Sequence, residues 1–405
     1  MNTTTDAESA GPLDGLRIVD FSGMIAGGYA TMTLADFGAD VVAVEHPDGH
    51  DPVRDWTPIE DGTSLWWKSL GRNKRCVTLD LKRDEGKALA LELLADADAV
   101  VENFRPGTLE GWNLGPDRLR EANEELIVVR ISGYGQTGPK AERPGFGTAA
   151  EALSGFAHVN GFTDREPLLP PIALADMAAG MTAVQALLMA LFERDVTGSG
   201  EGQVVDVSLL ESLFRFFPAA VTKYDRTGET GERLGNRHEN AAPRNVYETA
   251  DGYVALSASQ QSIFENLAAI IGHPELVADP RFADNAARVE HAEELDGYIA
   301  PWIAERTTDE VLDELRAGDA VVAPIYDIGD ILADDHYQAR GAFVEVDDAD
   351  LGPTKTSATF PRFSRTPGSV DGLGPRHGEH NRNVYVGEVG LDEETFADLR
   401  DSGVI

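Results

Sequence analysis

Cysteine, lysine and long apolar segments are all scarce in this chain of 405 residues. A single cysteine, Cys76, excludes an intrachain disulfide framework and favours a reducing compartment such as the cytoplasm, most simply as a small buried strand residue. The apolar segment over 183–192 is interrupted by Gln185 and is shorter than the roughly 18 to 20 residues that cross a bilayer, so it predicts a buried helix. Residues 1–14 are polar and acidic, lack the features of a signal peptide, and predict a flexible tail.

Acidic residues outnumber basic residues about two to one. The chain has 70 Asp and Glu against 34 Lys and Arg, a formal charge of −36, and seven of the bases are lysine. A field of this sign repels phosphate backbones and anionic lipid, which argues against nucleic-acid and membrane partners. Dispersed acids with little lysine are typical of halophilic proteins, in which concentrated salt screens the repulsion between acids. We therefore predict a halophilic protein.

Strands alternate with helices through the first half of the chain. The opening segment predicts a strand over 16–21, a helix over 29–37 and a second strand over 40–45, which together form a βαβ unit. Later segments continue the alternation up to a long apolar helix over 177–194 and a strand over 203–207. This order predicts an α/β fold, with a doubly wound, Rossmann-like large domain.

The composition changes to polar and glycine-rich residues over 222–237, as expected for a linker. Helical patterns dominate beyond it, and they predict a smaller α+β domain. The predicted organisation is a tail at 1–14, the first part of the large domain at 15–221, a linker and small domain at 222–325, and a linker with a return to the large domain at 326–405.

The first βαβ unit raises the possibility of a dinucleotide site, because Glu45 ends the second predicted strand where a ribose-binding acid would lie. The intervening loop contains Gly23, Gly27 and Gly28. This spacing does not match the G-x-G-x-x-G pattern that lets the backbone approach a pyrophosphate. The nicotinamide interpretation is therefore disfavoured.

A series of motifs in a fixed order carries a more specific signal. The chain resembles the class III CoA-transferase family, which includes carnitine CoA-transferase, formyl-CoA transferase and the α-methylacyl-CoA racemases. The resemblance implies an interlocked homodimer, a CoA thioester as substrate, and neither a further cofactor nor a metal. The segments that carry it are 20–28 with 34–45, 73–82, 101–107, 133–139, 174–176 and 197–208.

Asp176 lies at the entrance to the long apolar helix. By position alone it could be an N-cap residue, which stabilises a helix by roughly 1 kcal/mol. The positive end of the helix dipole would also favour an ionised carboxylate, which is the form needed for nucleophilic catalysis. The resemblance assigns this aspartate the role of the nucleophile that becomes acylated.

The resemblance also indicates which residues contact coenzyme A. Two of the predicted residues differ from those that formyl-CoA transferases have at the same positions. Ile25 replaces a glutamine and His46 replaces an arginine. Lys82 and Arg105 could equally be solvated surface cations. The predicted CoA-binding residues are Met24, Ile25, His46, Leu79, Lys82, Asn103, Phe104 and Arg105.

The acyl pocket is predicted from two further segments, with Gly145 and Phe146 in one and Arg237, His238 and Arg244 in the other. Racemases of the family carry a catalytic histidine where this chain has Phe146, which cannot act as an acid or base, so the racemase alternative is weakened. The arginines would suit a dicarboxylate, although 235–244 could also be a polar turn.

Taken with the acidic composition and the arginines, the resemblance to this family implies transfer of CoA from succinyl-CoA to mesaconate. Three alternatives stay open: another C4 or C5 acceptor such as malate, citramalate or itaconate, a racemase, and a CoA-binding subunit without activity.

Overall fold

Segments rich in valine and isoleucine form most of the parallel strands of this protein, in keeping with the strand preference of β-branched residues. The computed structural model describes residues 11–405. The strands are, in chain order, β1 (Arg17–Asp20), β2 (Asp40–Glu45), β3 (Ile59–Glu60), β4 (Thr63–Ser64), β5 (Arg75–Thr78), β6 (Ala99–Glu102), β7 (Ile127–Ser132), β8 (Val204–Ser208), β9 (Arg244–Glu248), β10 (Tyr253–Ser257), β11 (Val321–Pro324), β12 (Phe343–Asp348) and β13 (Gly352–Ser357).

Helices connect most of these strands. They are α1 (Ala26–Ala35), α2 (Leu65–Leu70), α3 (Asp84–Leu94), α4 (Thr108–Gly111), α5 (Pro116–Ala122), α6 (Gly147–Leu153), α7 (Phe156–Val159), α8 (Leu174–Phe192), α9 (Leu209–Phe214), α10 (Ala220–Thr227), α11 (Gln261–Ile270), α12 (Asn285–Glu290), α13 (Ala292–Ala304), α14 (Thr308–Arg316), α15 (Ile328–Ala333), α16 (Asp335–Ala339), α17 (Asn381–Tyr385) and α18 (Glu393–Asp401). Short 3₁₀ segments cover Pro52–Asp55 and Pro274–Ala278, and a π-helical turn covers Glu193–Thr197.

The chain divides into two units, each described here by itself. The larger unit takes in 11–157, 169–228 and 339–405, and the smaller unit takes in His158–Leu168 and Glu229–Gln338. Of the predicted tail, residues 1–10 lie outside the described residues. The Leu13 N–H donates to the carbonyl of Phe37, so the end of the predicted tail is attached to the larger unit.

A parallel sheet of order β5-β2-β1-β6-β7-β8 forms the centre of the larger unit. Successive strand residues point to opposite faces, so Ile18 packs with the cluster of α1 and α8, and Val19 packs with the cluster of α3 and α18. Both faces are therefore covered by helices. The predicted doubly wound α/β fold is confirmed.

The long apolar helix α8 packs against α1, α6 and β7. At Gly180 a Cβ atom would lie 2.7 Å from the carbonyl oxygen of Ala26, so glycine is what allows α1 and α8 to approach this closely. The expectation that no apolar segment is long enough to cross a bilayer is wrong, because Leu174–Thr197 has the required length and composition. This is weak evidence for a membrane span, since buried core helices pass the same test.

The smaller unit has an antiparallel sheet of order β11-β10-β9. Its core includes Phe264, Leu295 and Val311, from the helices packed on that sheet. The predicted boundaries at 222 and 325 differ from the observed ones, since helix α10 occupies the first part of the predicted linker and the unit continues to Gln338. The segment 158–168 also belongs to this unit, because the Arg233 guanidinium donates to the carbonyl oxygens of its His158 and Phe162.

The last part of the chain returns to the larger unit through the hairpin of β12 and β13. Lys68 on α2 holds this return in place, because its ammonium group lies 2.8 Å from Asp348 and 2.9 Å from Asp350. The pair with Asp348 is buried and the pair with Asp350 is partly buried, and both join segments about 280 residues apart in the chain.

Candidate active site

The loops that follow the carboxyl ends of the central strands carry most of the predicted site residues. Strand order reverses between β1 and β6, and crevices at such switch points are where doubly wound sheets bind ligands. There the Asn103 side chain accepts a hydrogen bond from the Gly23 N–H at 3.0 Å and donates to the Gly23 carbonyl at 2.6 Å. One amide therefore joins the loops after β1 and β6.

The β1 loop continues into Met24 and Ile25, both predicted to contact CoA. Met24 has a φ of +63°, and the carboxylate of Asp51 accepts its N–H at 2.9 Å, which holds this strained residue in place. Ile25 is 2% exposed and lies in an apolar cluster against which Ala173 and Met177 pack. The side chain of Ile25 is therefore a packing residue beside the first turns of α8.

The exposed Lys82 and the partly buried Phe104 and Trp112 form a group at the ends of β5 and β6. The Lys82 ammonium lies 5.8 Å from the centre of the Trp112 ring, which meets Phe104 edge-on at 5.1 Å. Arg105 follows Phe104 and is exposed. Within residues 11–405, neither Lys82 nor Arg105 has a carboxylate partner, so both charges are available to an anion.

His46 and Leu79 end the neighbouring strands. The His46 ring is exposed and its Nε2 lies 3.7 Å from Asp80, whose carboxylate also accepts the backbone N–H of Lys82. The side chain of Leu79 is buried, and its backbone N–H donates to the carbonyl of Glu45. The side chain of Leu79 therefore packs inside the protein, and its backbone N–H is already bonded.

Glu45 is not a free acid at the end of β2. Its carboxylate pairs with Arg54 at 2.7 Å inside the protein. Burial acts to raise the pKa of Glu45, but the hydrogen bond and charge of Arg54 outweigh it and the pKa is lowered. The dinucleotide interpretation therefore loses the acid on which it depended.

Asp176 lies in the first turn of α8, where Ala173 is the N-cap residue. The N-cap interpretation of Asp176 is therefore wrong. Burial and then the negative charge of Glu151 raise the pKa of Asp176 to about 6, so the helix dipole is not the dominant influence. Above that pH the carboxylate is ionised and carries a partly desolvated charge, as nucleophilic attack requires.

The loop 145–147 lies directly against Asp176. A Cβ atom at Gly147 would be 2.3 Å from Oδ2 of Asp176, so only glycine leaves room for this carboxylate. A Cβ atom at Gly145 would be 3.0 Å from the Cα of Gly133, where two backbone segments meet. Phe146 caps the start of α6 and is 68% exposed.

The remaining predicted pocket residues lie in the smaller unit. The Arg237 guanidinium pairs with Asp296 at 2.8 Å, and Asp296 also accepts from Tyr247. Arg244 is exposed and donates to the carbonyl oxygens of Asn236 and Arg237. His238 accepts the backbone N–H of Asn240 through Nδ1, as in a polar turn.

Comparison with known proteins identifies the family. The profile of CoA-transferase family III matches residues 13–381. The chain belongs to this family. As a family III CoA-transferase it is an enzyme, and the predicted resemblance is confirmed.

Relatives of this CoA-transferase match over nearly their whole length. The succinyl-CoA–D-citramalate CoA-transferase of Chloroflexus aurantiacus is 42% identical over 396 residues, with 97% of this chain and 98% of that protein covered. The beta subunit of the succinyl-CoA–L-malate CoA-transferase of the same organism is 40% identical over 399 residues, with 97% and 98% covered. A CAIB/BAIF family protein from Brucella suis has a similar structure, with a TM-score of 0.83, 32% identity, and coverage of 93% of this chain and 99% of that one.

The sequence analysis missed two residues that lie beside the predicted site residues of this CoA-transferase. Trp112 brings Lys82 and Phe104 together, and an aromatic residue between two short helices was the available signal. Glu151 raises the pKa of Asp176, and an acid within the small, apolar segment 148–153 was the signal there. No group of three or more His, Cys, Asp or Glu side chains in residues 11–405 is arranged to hold a metal.

Proposed function

We infer that this enzyme transfers CoA from succinyl-CoA to a C4 or C5 dicarboxylic acid, with mesaconate as the expected acceptor, and that Asp176 is its covalent nucleophile. The observation that carries the proposal is a partly buried carboxylate at a helix start, in contact with the backbone of Gly147. The named activities of the two Chloroflexus relatives support succinyl-CoA as the donor.

In the first half of the proposed reaction, the Asp176 carboxylate attacks the thioester carbonyl of succinyl-CoA. The C–S bond breaks, CoA leaves as a thiolate, and a mixed succinyl–aspartyl anhydride remains. The thiolate then attacks the aspartyl carbonyl and expels succinate, which leaves an aspartyl–CoA thioester. No proton is gained or lost in either step.

The second half reverses these steps with the acceptor. The acceptor carboxylate attacks the aspartyl thioester, expels CoA thiolate and forms a new anhydride. The thiolate attacks the acyl carbonyl of the acceptor, which yields the new acyl-CoA and regenerates the Asp176 carboxylate. Each addition places negative charge on an oxygen, which a preorganised N–H donor would stabilise by roughly 3 to 4 kcal/mol.

Coenzyme A would be held by the group at the ends of β5 and β6. Lys82 and Arg105 offer exposed positive charges to its phosphates, and Trp112 with Phe104 offers an aromatic surface. We propose His46, Leu79 and Asn103 as further contacts through their side chains or backbone. The same proposal places the backbone of Met24 and Ile25 against the coenzyme.

The second carboxylate of the acceptor needs a cation, and Arg244 is the better proposed partner. Arg237 is already paired with Asp296, whereas Arg244 is held by carbonyl oxygens that leave its charge uncompensated. His238 lies between these arginines in the chain. Malate, citramalate and itaconate carry the same pair of carboxylates, so acceptor choice depends on the substituents between them.

Acceptor specificity is tested by supplying succinyl-CoA with mesaconate, citramalate, malate, itaconate or glutarate, in low and in molar salt. We expect the highest kcat/KM with mesaconate and higher activity in salt. Absence of transfer to any C4 or C5 acid would disprove the substrate proposal. Deuterium uptake at the α-carbon of an acyl-CoA without any acceptor would instead indicate racemase chemistry.

The nucleophile is tested by trapping. Succinyl-CoA with borohydride or hydroxylamine should modify Asp176, as read by peptide mass spectrometry. Asp176→Ala should lose transfer by about 10⁴-fold or more. Modification of a different residue, or transfer retained in Asp176→Ala, would rule out this mechanism. Light scattering in the same salt series tests the proposed homodimer, and cell fractionation tests the proposed cytoplasmic location.

A further inference from the structure

Glu151 is a buried acid without a counter-charge. It lies on α6, is 4% exposed, and has no cationic partner among residues 11–405. Its Oε1 accepts a long hydrogen bond of 3.5 Å from the backbone N–H of Ala175. Burial of an unpaired carboxylate destabilises a protein. The presence of Glu151 at this buried position therefore indicates a role other than stabilising the fold.

The position of Glu151 relative to Asp176 supplies that reason. A Cβ atom on Gly147 would lie 2.3 Å from Oδ2 of Asp176 and 3.8 Å from Oε1 of Glu151. The two oxygen atoms are therefore within about 6 Å of each other, a range over which like charges influence ionisation strongly. The N–H that Glu151 accepts belongs to the residue just before Asp176, so Glu151 also touches the turn that carries the nucleophile.

Other ionisable groups near α8 are directed elsewhere. Helix α8 has no charged residue besides Asp176, and α1 contributes only Tyr29 as a titratable group. The charged residues on the remaining neighbouring elements are Arg130 on β7, bound to Glu102 and Glu110; Asp206 on β8, bound to the Gln136 N–H; Glu211 on α9, bound to Ser208; and Glu193, Arg194 and Asp195 at the far end of the helix.

We propose that Glu151 is a positioning residue for Asp176, which fixes the first turn of α8 through Ala175 and places a second negative charge beside the nucleophile. The proposal rests on the proposed role of Asp176 in CoA transfer. A neighbouring negative charge makes the Asp176 carboxylate more basic, so it attacks a thioester more readily once ionised. The same charge delays ionisation, so activity should fall below about pH 6.

The test is the pH dependence of kcat/KM for succinyl-CoA, which reports ionisation in the free enzyme. The wild type should show an acid limb with its midpoint near pH 6. Glu151→Gln removes the charge and keeps the size of the side chain, so we expect this midpoint to fall by about one pH unit. Glu151→Asp retains the charge and should retain a midpoint near that of the wild type.

The matched control is Glu121→Gln on α5, an exposed acid paired with Arg118, whose loss should leave the midpoint in place. A midpoint that stays near pH 6 in Glu151→Gln would overturn the proposal, even if kcat falls, because a purely structural role changes rate without moving the midpoint. A wild-type midpoint near pH 4 would overturn it without any variant, so the test does not depend on whether Glu151→Gln folds.

Failure of the nucleophile proposal for Asp176 can be distinguished from failure of the positioning proposal for Glu151. If Asp176→Ala keeps its activity, the nucleophile proposal fails and the role of Glu151 fails with it. If Asp176→Ala is inactive while the midpoint of Glu151→Gln is unmoved, only the role of Glu151 is disproved. Borohydride trapping of Asp176 in Glu151→Gln at pH 8 should give the same modified peptide as in the wild type, which shows that the variant keeps the chemistry.

Discussion

Buried acids in the larger unit fall into two environments. Around the central sheet and the return segment, each buried carboxylate has a cation within 4 Å. At the start of α8, Asp176 and Glu151 face each other, and Glu151 has no cation among the residues that the structure describes. The paired acids are Asp20 with Lys74, Asp36 with Arg72, Glu45 with Arg54, Glu102 with Arg130 and Asp348 with Lys68.

The difference separates acids that maintain the fold from acids that are available for chemistry. A carboxylate held by a guanidinium fork has its lone pairs occupied and is a poor nucleophile. Arg54 and Lys68 lower the pKa of their acids against the effect of burial, although burial prevails at Asp36 and Glu102 and raises the pKa of both. Asp176 has no such opposing cation, and its pKa is raised to about 6.

The largest stability effect is expected at a paired acid. Arg130→Met leaves Glu102 fully buried without its cation, so the free energy of unfolding should fall by about 3 to 5 kcal/mol. Urea denaturation measures this change. Arg118→Met, which removes an exposed pair on α5, is the control and should change stability by less than about 1 kcal/mol. Equal losses in both variants would contradict the distinction between buried and exposed pairs.

A change of the opposite sign in stability is expected at Asp176, the proposed nucleophile. The folded protein binds the Asp176 proton more tightly than the unfolded chain, because folding raises the pKa from 3.8 to about 6. Above pH 6 the ionised Asp176 therefore destabilises the wild type, and Asp176→Asn should be more stable by up to about 3 kcal/mol.

This advantage of Asp176→Asn should shrink as the pH falls from about 6 towards 3.8, where wild-type Asp176 becomes protonated. Thermal melting of both proteins from pH 4 to 8 measures it. Asp117→Asn, at an exposed acid in the first turn of α5, is the control for a general effect of removing one charge. A stability difference that is constant over this pH range would contradict the raised pKa.

Gly147→Ala is expected to separate activity from stability. The new Cβ would meet Oδ2 of Asp176 at 2.3 Å, so the carboxylate must move, and we expect kcat to fall at least about tenfold with a stability loss of about 1 to 3 kcal/mol. The control is Gly297→Ala within α13, where a Cβ meets nothing within 4 Å and helix propensity improves. An unchanged kcat in Gly147→Ala would show that the acid tolerates displacement.

The smallest effect on activity is expected at two arginines, of which Arg237 is paired with a carboxylate and Arg244 is not. Arg244→Ala should raise the KM for the dicarboxylate acceptor about tenfold, because its charge is uncompensated by any carboxylate in the described residues. Arg237→Ala removes the partner of Asp296 and should lower stability more than it raises KM. A larger rise in KM for Arg237→Ala would reverse the proposed assignment of the two arginines.

The central sheet could be predicted from the sequence because each strand is an apolar segment between polar loops. The predicted strand at 40–45 coincides with β2, and the helix predicted over 177–194 overlaps α8. Helix α10 could not be predicted in the same way, because its residues are polar and none of them is buried.

The site was predictable only where a motif placed it. Asp176 follows from the resemblance, but its environment depends on Glu151, 25 positions earlier in the chain, and a contact of that kind has no local signature. Ile25 was expected to face coenzyme, whereas its side chain is buried among apolar residues. The motifs thus predicted which loops at the strand ends carry the candidate site. Which side chains in those loops are exposed depends on packing that the sequence does not show.

The amide of Asn103 has a mechanical consequence for ligand binding. Its two hydrogen bonds to Gly23 resemble the pairing of a neighbouring peptide group, so they couple the loops after β1 and β6 at this point. A ligand that displaces the loop carrying Asn103 and Arg105 would therefore also displace Met24, next to Gly23. Binding at the end of β6 would in this way alter the position of Ile25, which packs beside the first turns of α8.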